Sequence, residues 1–298
     1  MAYPIIPAAY GLKTVSLAGG RVFSGSTRLI PIASNYGYNM FDGDVVTASG
    51  GSLVVTTLGA ASSPVAGTIG VFVGAQYVNS MSQTVRAQFY AANTITNTLY
   101  GPNSLQGYVV DDPYAVFQAA VLTQSTSVSN TPGATIGYVN PSFIGSNMYL
   151  VTNGSNGGSA SGNTTTGDSA MGLTGGAITS GTQGNTRITS SAPFRVVNVV
   201  PDTAVTVTAT GSTSGSSSTL TLTAANTAIS PGMQLIIPGV TGALASNFLT
   251  VTNVSSTTVT LSASITVASG TALSFIGYPE VQVQWNFGYH GYLNATAA

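Results

Sequence analysis

Charge is nearly missing from this chain. Its 298 residues include six Lys or Arg and seven Asp or Glu, 4% in all, against about a quarter in ordinary soluble proteins. The formal net charge is −1, and basic residues scattered from Lys13 to Arg195 cannot form a stripe that tracks phosphates. Nucleic acid is therefore excluded as a partner. Cysteine is absent, which removes disulfide staples and thiolate chemistry, and with one histidine no His/Cys metal cluster can form. No apolar run approaches the roughly 18 residues that cross a bilayer, so no membrane partner is expected. Residues 1–13 lack both a basic start and an unbroken apolar core, because Pro4 and Pro7 interrupt them; they do not read as a signal peptide, and cytoplasmic synthesis is expected.

The usual catalytic patterns are missing too. There is no phosphate-binding loop, and no Gly-x-Ser-x-Gly elbow stands ready to use His290 as a base. His290 reads as a terminal surface or interface histidine. The close carboxylate pairs are Asp42/Asp44 and Asp111/Asp112, and a glycosidase would need a cleft, normally tryptophan-lined, between such a pair. With one Trp in the chain, the pairs read as turn residues. Asp42-Gly43-Asp44 reads as a turn whose Asp side chains bond their own backbone, ahead of a Ca²⁺ site with too few ligands. No catalytic residue, metal or other cofactor is expected.

What is present is β-forming sequence. Hydrophobic residues make up 43% of the chain, with 36 glycines and 13 prolines as punctuation. Val, Ile and Thr alternate in short runs at 28–34, 44–48, 52–57, 68–74, 85–91, 95–99 and 106–110, which read as strands. Asp112-Pro113 reads as an N-cap with proline at the first helical position, opening one short helix or turn through Tyr114, Phe117 and Ala120. Residues 152–192 read as a surface excursion poor in large side chains. Residues 194–200 and Glu280–Trp285 read as two strands that pair, with Val281, Val283 and Trp285 matching Phe194, Val196 and Asn198.

Between them, from Thr203 to Pro279, no residue is charged. Six short runs there, with turns at Gly211, Pro231-Gly232, Pro238-Gly239 and Gly270, predict a small β-sandwich of immunoglobulin size. The expected fold is thus all-β. An extended N-terminal arm (1–18) precedes a sandwich- or barrel-like main domain (19–202 plus 278–298), and 203–277 is inserted at a hairpin tip, where insertions are tolerated.

Several stretches in order carry a resemblance. They are Gly19-Gly20-Arg21-Val22-Phe23-Ser24-Gly25-Ser26-Thr27-Arg28, Pro31-Ile32-Ala33-Ser34, Tyr36 to Asp42-Gly43-Asp44-Val45, Gly70-Val71-Phe72-Val73-Gly74, Val109 to Gln118, Pro193 to Val197, and Tyr278 to Asn286. Together they resemble a family of small structural proteins of tailed bacteriophages that decorate or cement the capsid. Ser230 to Ser262 resembles a β-module appended to phage structural proteins. The resemblance implies a virion protein on the outer capsid surface, partnered by the major capsid protein and by copies of itself, trimer ahead of dimer. Interface positions expected from aromatic clustering and family position are Ile5, Ile6, Tyr10, Arg21, Phe23, Arg28, Tyr36, Tyr38 and Phe41. A second reading stays open: a tail or surface adhesin whose 203–277 module makes weak contact with host-surface glycans. A nearly uncharged surface is poorly protected against association in either case.

Overall fold

The computed structural model describes residues 9–33, 36–56, 67–94, 104–123, 135–136, 143–151, 162–174, 192–200, 206–229, 233–236, 249–277, 279–286 and 288–291. The protein is all-β. A first sheet holds β1 (Lys13–Leu17), β8 (Ala115–Ala120), β20 (Glu280–Trp285), β13 (Phe194–Val199), β11 (Asn147–Val151) and β12 (Gly172–Thr174), in that spatial order. A second runs β2 (Arg28–Pro31), β7 (Leu105–Val110), β5 (Thr68–Val78), β3 (Val45–Ser49) and β4 (Ser52–Val55), with β6 (Thr84–Ala87) also on β5. β9 (Leu122–Thr123) and β10 (Thr135–Ile136) form a small ladder of their own.

One hydrophobic core draws on both sheets, including Val45, Val71 and Val110 from the second and Phe117, Val196, Val283 and Trp285 from the first. The second sheet also curls on itself, because Ile32, just past β2, bridges Leu53 of β4 at its far edge. Val45, Val71 and Val110 stand in one cross-strand row, while Phe72 and Val109 pair in the adjacent row of opposite facing. Both rows are buried. This is why β5 begins with an almost unbroken apolar run where a half-exposed strand would alternate. Gly107 makes room inside the curl: a Cβ there would lie 2.7 Å from Leu53 Cδ2 and 3.1 Å from Phe72 Cε2.

β13 and β20 pair antiparallel, with Phe194 opposite Trp285 and Val196 opposite Val283. A register shift between Val196 and Asn198 then puts Val199, not Asn198, opposite Val281, so the apolar row continues. The bulge turns Asn198 outward, an irregularity that period-two reading cannot foresee.

Between those strands, β14 (Thr206–Ser212), β15 (Ser217–Leu222), β16 (Gln234–Ile236), β17 (Leu249–Ser255), β18 (Thr258–Ile265) and β19 (Thr271–Ile276) close into a barrel in the order β14-β15-β18-β17-β16-β19. The small sandwich expected here is replaced by a ring. β19 pairs with both β14 and β16, which removes the open edges a sandwich would keep. Its interior is a separate cluster, including Leu220, Leu222, Val251, Val259, Leu261, Leu273 and Phe275. In β15, Thr219 and Thr221 are exposed while Leu220 and Leu222 are buried, the alternation a barrel wall needs.

Further expectations are corrected. No helix follows Asp112. Its carboxylate accepts a hydrogen bond from the Tyr114 amide at 2.8 Å, as a turn cap does, but Ala115–Ala120 is strand β8. β8 lies between β1 and β20, and its side chains are nearly all buried, so tertiary pairing overrides the local helix signal. The 1–18 arm is also shortened: Leu12 is fully buried and β1 pairs with β8, so residues from about Gly11 onward belong to the core. Residues 152–192 include β12, a strand paired with β11. The strand expected at 95–99 lies outside the described residues.

Candidate functional site

Four of the chain's few charged residues converge where three segments cross. Gly11 donates its amide to the Met171 carbonyl (3.0 Å), Leu12 to Gly43 (3.0 Å), Asp42 to Gly167 (2.9 Å) and Ser169 to Asp42 (3.0 Å). The packing is close enough to require glycine. A Cβ on Gly11 would lie 2.7 Å from the Gly43 backbone and from Ser169 Cβ, and Gly11 has a φ of +81°. Over this crossing, Lys13 Nζ forms ion pairs with Asp42 Oδ2 at 2.8 Å and Asp168 Oδ1 at 2.9 Å. Gln88 lies at the rim of both carboxylates.

Asp44 is buried beneath this cluster, 3% exposed. Its Oδ2 accepts from the Phe41 amide (2.7 Å) and its Oδ1 from the Ser169 hydroxyl (2.6 Å), whose oxygen accepts from the Met171 amide (2.9 Å). The Asp44 side chain thus bonds its own turn's backbone, as expected of Asp42-Gly43-Asp44, but it reaches back three residues to Phe41, whose carbonyl accepts the Asp44 amide at 2.9 Å. Burial pushes the Asp44 carboxyl up to about 7; the two hydrogen bonds and Lys13 oppose that rise, and Asp42 adds to it. At Asp168, burial also acts upward but is outweighed by Lys13 and the Thr166 hydroxyl, so its carboxyl sits below its ordinary value. The neighbouring acids thus hold their protons very differently: Asp168 is ionised in its ion pair, and Asp44 changes state near neutral pH.

The expected interface positions scatter. Ile5 and Ile6 lie outside the described residues. Tyr10 turns inward, donating its hydroxyl to the buried Glu280 carboxylate, and burial raises the hydroxyl's pKa. Phe41 is corrected from interface to core: it is 1% exposed, stacks on Phe89 at 5.5 Å and leaves no space for a side chain at Gly162. Tyr36 is half-buried and structural, its oxygen accepting from the Val55 amide (3.0 Å) and its carbonyl from the Tyr90 hydroxyl (3.1 Å). Phe23 packs against the main core. Arg28 is largely exposed and pairs with Asp111 at 2.7 Å, while Arg21 is exposed in a turn, its Nε donating to Ala18. Tyr38, 44% exposed, lies edge-on to Tyr36. Only Arg21, Arg28 and Tyr38 of the nine present substantial surface among the described residues.

The apolar surface lies elsewhere. Val15, Val22, Leu29 and Tyr114 are all more than two-fifths exposed. Val15 lies in β1, Val22 shortly after it, Leu29 in β2 and Tyr114 just before β8, where its carbonyl accepts the Ala18 amide. His290 is a further correction, because it is fully buried, edge-on to Trp285 at 5.4 Å, and burial lowers its pKa. It reads as core. Among the described residues, no group of three or more His, Cys, Asp or Glu is arranged to hold a metal.

Sequence reading missed Ser169 as the partner of Asp44, and Lys13 with Asp168 as the ion pair beside it. Asp44 and Ser169 are 125 residues apart, so no spacing motif joins them. The one available signal was scarcity, since a chain with so few charges has few ways to pair a buried carboxylate.

Comparison with protein-family models, with curated proteins and with solved structures finds no match to this chain.

Proposed function

We propose that this chain is a structural virion protein that decorates the outer surface of a phage capsid and cements its lattice. The observation that carries the reading is the exposed apolar side chains of Val15, Val22, Leu29 and Tyr114 on and beside β1 and β2, the end strands of the two sheets among the described residues, in a chain with almost no charge to keep neighbours away. Edge strands and exposed apolar groups suit association by strand addition and apolar burial. The ordered stretches that resemble the phage family add to the reading on their sequence alone. The partners in this reading are the major capsid protein and further copies of the chain, in a closed oligomer, trimer ahead of dimer. Several weak contacts per oligomer then add through multivalency.

A tail or surface adhesin is the second reading. It is favoured by the hydroxyl-lined outer wall of the barrel, where Thr208, Thr210, Thr219, Thr221 and Thr223 are exposed. Quantitative mass spectrometry of purified virions separates the two. About one copy per major capsid protein supports cement, whereas a few copies per hundred overturns it in favour of the adhesin. Absence from the particle overturns both.

A further inference from the structure

The Asp44 crossing does more than hold a turn. Beside the Tyr10–Glu280 bond and the β1–β8 ladder, the start of the described chain is fastened close to this carboxyl: Gly11 to Met171, Leu12 to Gly43, and Lys13 to Asp42 and Asp168. Those bonds use both segments that Asp44 itself ties together, 41–44 through the Phe41 amide and 167–171 through Ser169. The carboxylate receives two hydrogen bonds, and the nearby cation is committed to the other two acids. A buried carboxylate with so little support is stable when neutral and costly when ionised.

We infer that Asp44 is a proton-operated latch: with its carboxyl protonated the crossing is closed, and loss of that proton loosens the hold on residues 10–13. The charged and titratable groups that face it are Asp42 on its own turn, Lys13 on the N-terminal segment, Asp168 beside Ser169, and the Tyr36 hydroxyl. With Asp44 neutral, Lys13 offsets one of the two remaining acids. With Asp44 ionised, three carboxylates face one ammonium across three segments joined by few backbone bonds. Burial sets the transition near neutral pH, within reach of an ordinary change of medium. Below it the Gly11 and Leu12 amides are sealed against Met171 and Gly43; above it those two bonds open, and the segment is held by Tyr10–Glu280 and the β1–β8 ladder.

Hydrogen exchange of the full-length protein, read by mass spectrometry on fragments that report the Gly11 and Leu12 amides and corrected for the intrinsic pH dependence of exchange, tests this without any partner. The expected result is at least a tenfold loss of protection between pH 6 and pH 8.5, while peptides from β5 and β20 stay unchanged. Asp44→Asn keeps an acceptor for the Phe41 amide and should stay protected throughout. Ser169→Ala, which removes a donor to the ionised form, should move the loss of protection to higher pH. Protection independent of pH in the unaltered protein, or an equal loss in the Asp44→Asn protein, overturns the inference. So does a midpoint that Ser169→Ala leaves in place.

Discussion

Replacing residues 202–278 with Asn-Gly should leave the main domain folded and almost equally stable. The two strands that flank the excision are already held together: Val199 lies opposite Val281, and Val200 donates its amide to the Glu280 carbonyl. The replacement makes a four-residue connection at a hairpin end, where Asn-Gly supplies the positive φ a tight turn needs. Two quantities set the size of the effect. Among the described residues the core of the barrel shares none with the main core, so no main-core burial among them is lost. The barrel's own ends are also paired, Thr206 opposite Ile276, so the folded insert closes its gap as a short tether would. Halving a tether changes the closure entropy by about 0.6 kcal/mol. A net change under about 1 kcal/mol shifts the melting temperature by no more than about 4 °C in a domain of this size. Scanning calorimetry reads it directly: the intact chain should show separate main-domain and barrel transitions, and the excised chain only the former. A main transition lowered by more than about 10 °C, or lost, would refute the reasoning, because the barrel would then be supporting the first sheet.

Two further outcomes follow from buried groups. Because Asp44 holds its proton to about pH 7 when folded and releases it near its ordinary value of 3.8 when unfolded, the folded state binds the extra proton between those values. Stability from this group is therefore complete below pH 3.8, falls as pH rises toward 7 and is flat above, a loss of about 4 kcal/mol at 1.36 kcal/mol per unit. Urea unfolding of Asp44→Asn should lack that decline, and a parallel decline in both proteins would refute the assignment. Phe194→Ala removes a fully buried ring 4.5 Å from Trp285 at the centre of the first sheet and should cost about 3–5 kcal/mol in the same assay; a loss below about 1 kcal/mol would mean the site collapses around the gap.

The all-β class was legible in the alternation of Val, Ile and Thr, and so were most strands, because period-two burial is a local property. The pairing of residues 194–200 with 280–285 was legible from matched apolar faces across the insert, although the bulge before Asn198 was not. The helix expected after Asp112 failed for a tertiary reason: the Asp-Pro signal is real and caps a turn, but β8 is claimed by strands on both sides. Barrel closure was hidden as well, since six short strands suit a ring or a sandwich until the pairing of β19 with both β14 and β16 is known. The Asp44 crossing was the least legible feature. It joins residues about 10, 44 and 170 by contacts that no run of sequence contains, and aromatic clustering drew attention to Tyr36 and Phe41, which serve the core.

The placement of the charges has a consequence for handling and for habitat. Lys13 is shared by Asp42 and Asp168 over the buried Asp44 in one knot, Arg28 and Asp111 pair in a second, and Glu280 is sealed against Tyr10. Little net field is left to reach into solution, so mobile ions have almost nothing to screen. Attraction between this surface and another then rests on the cohesion of water, which concentrated sulfate or phosphate strengthens. Brine that strips a charge-guided protein from its partner should leave this one seated, and cold, which weakens apolar burial, is the milder way to lift it off.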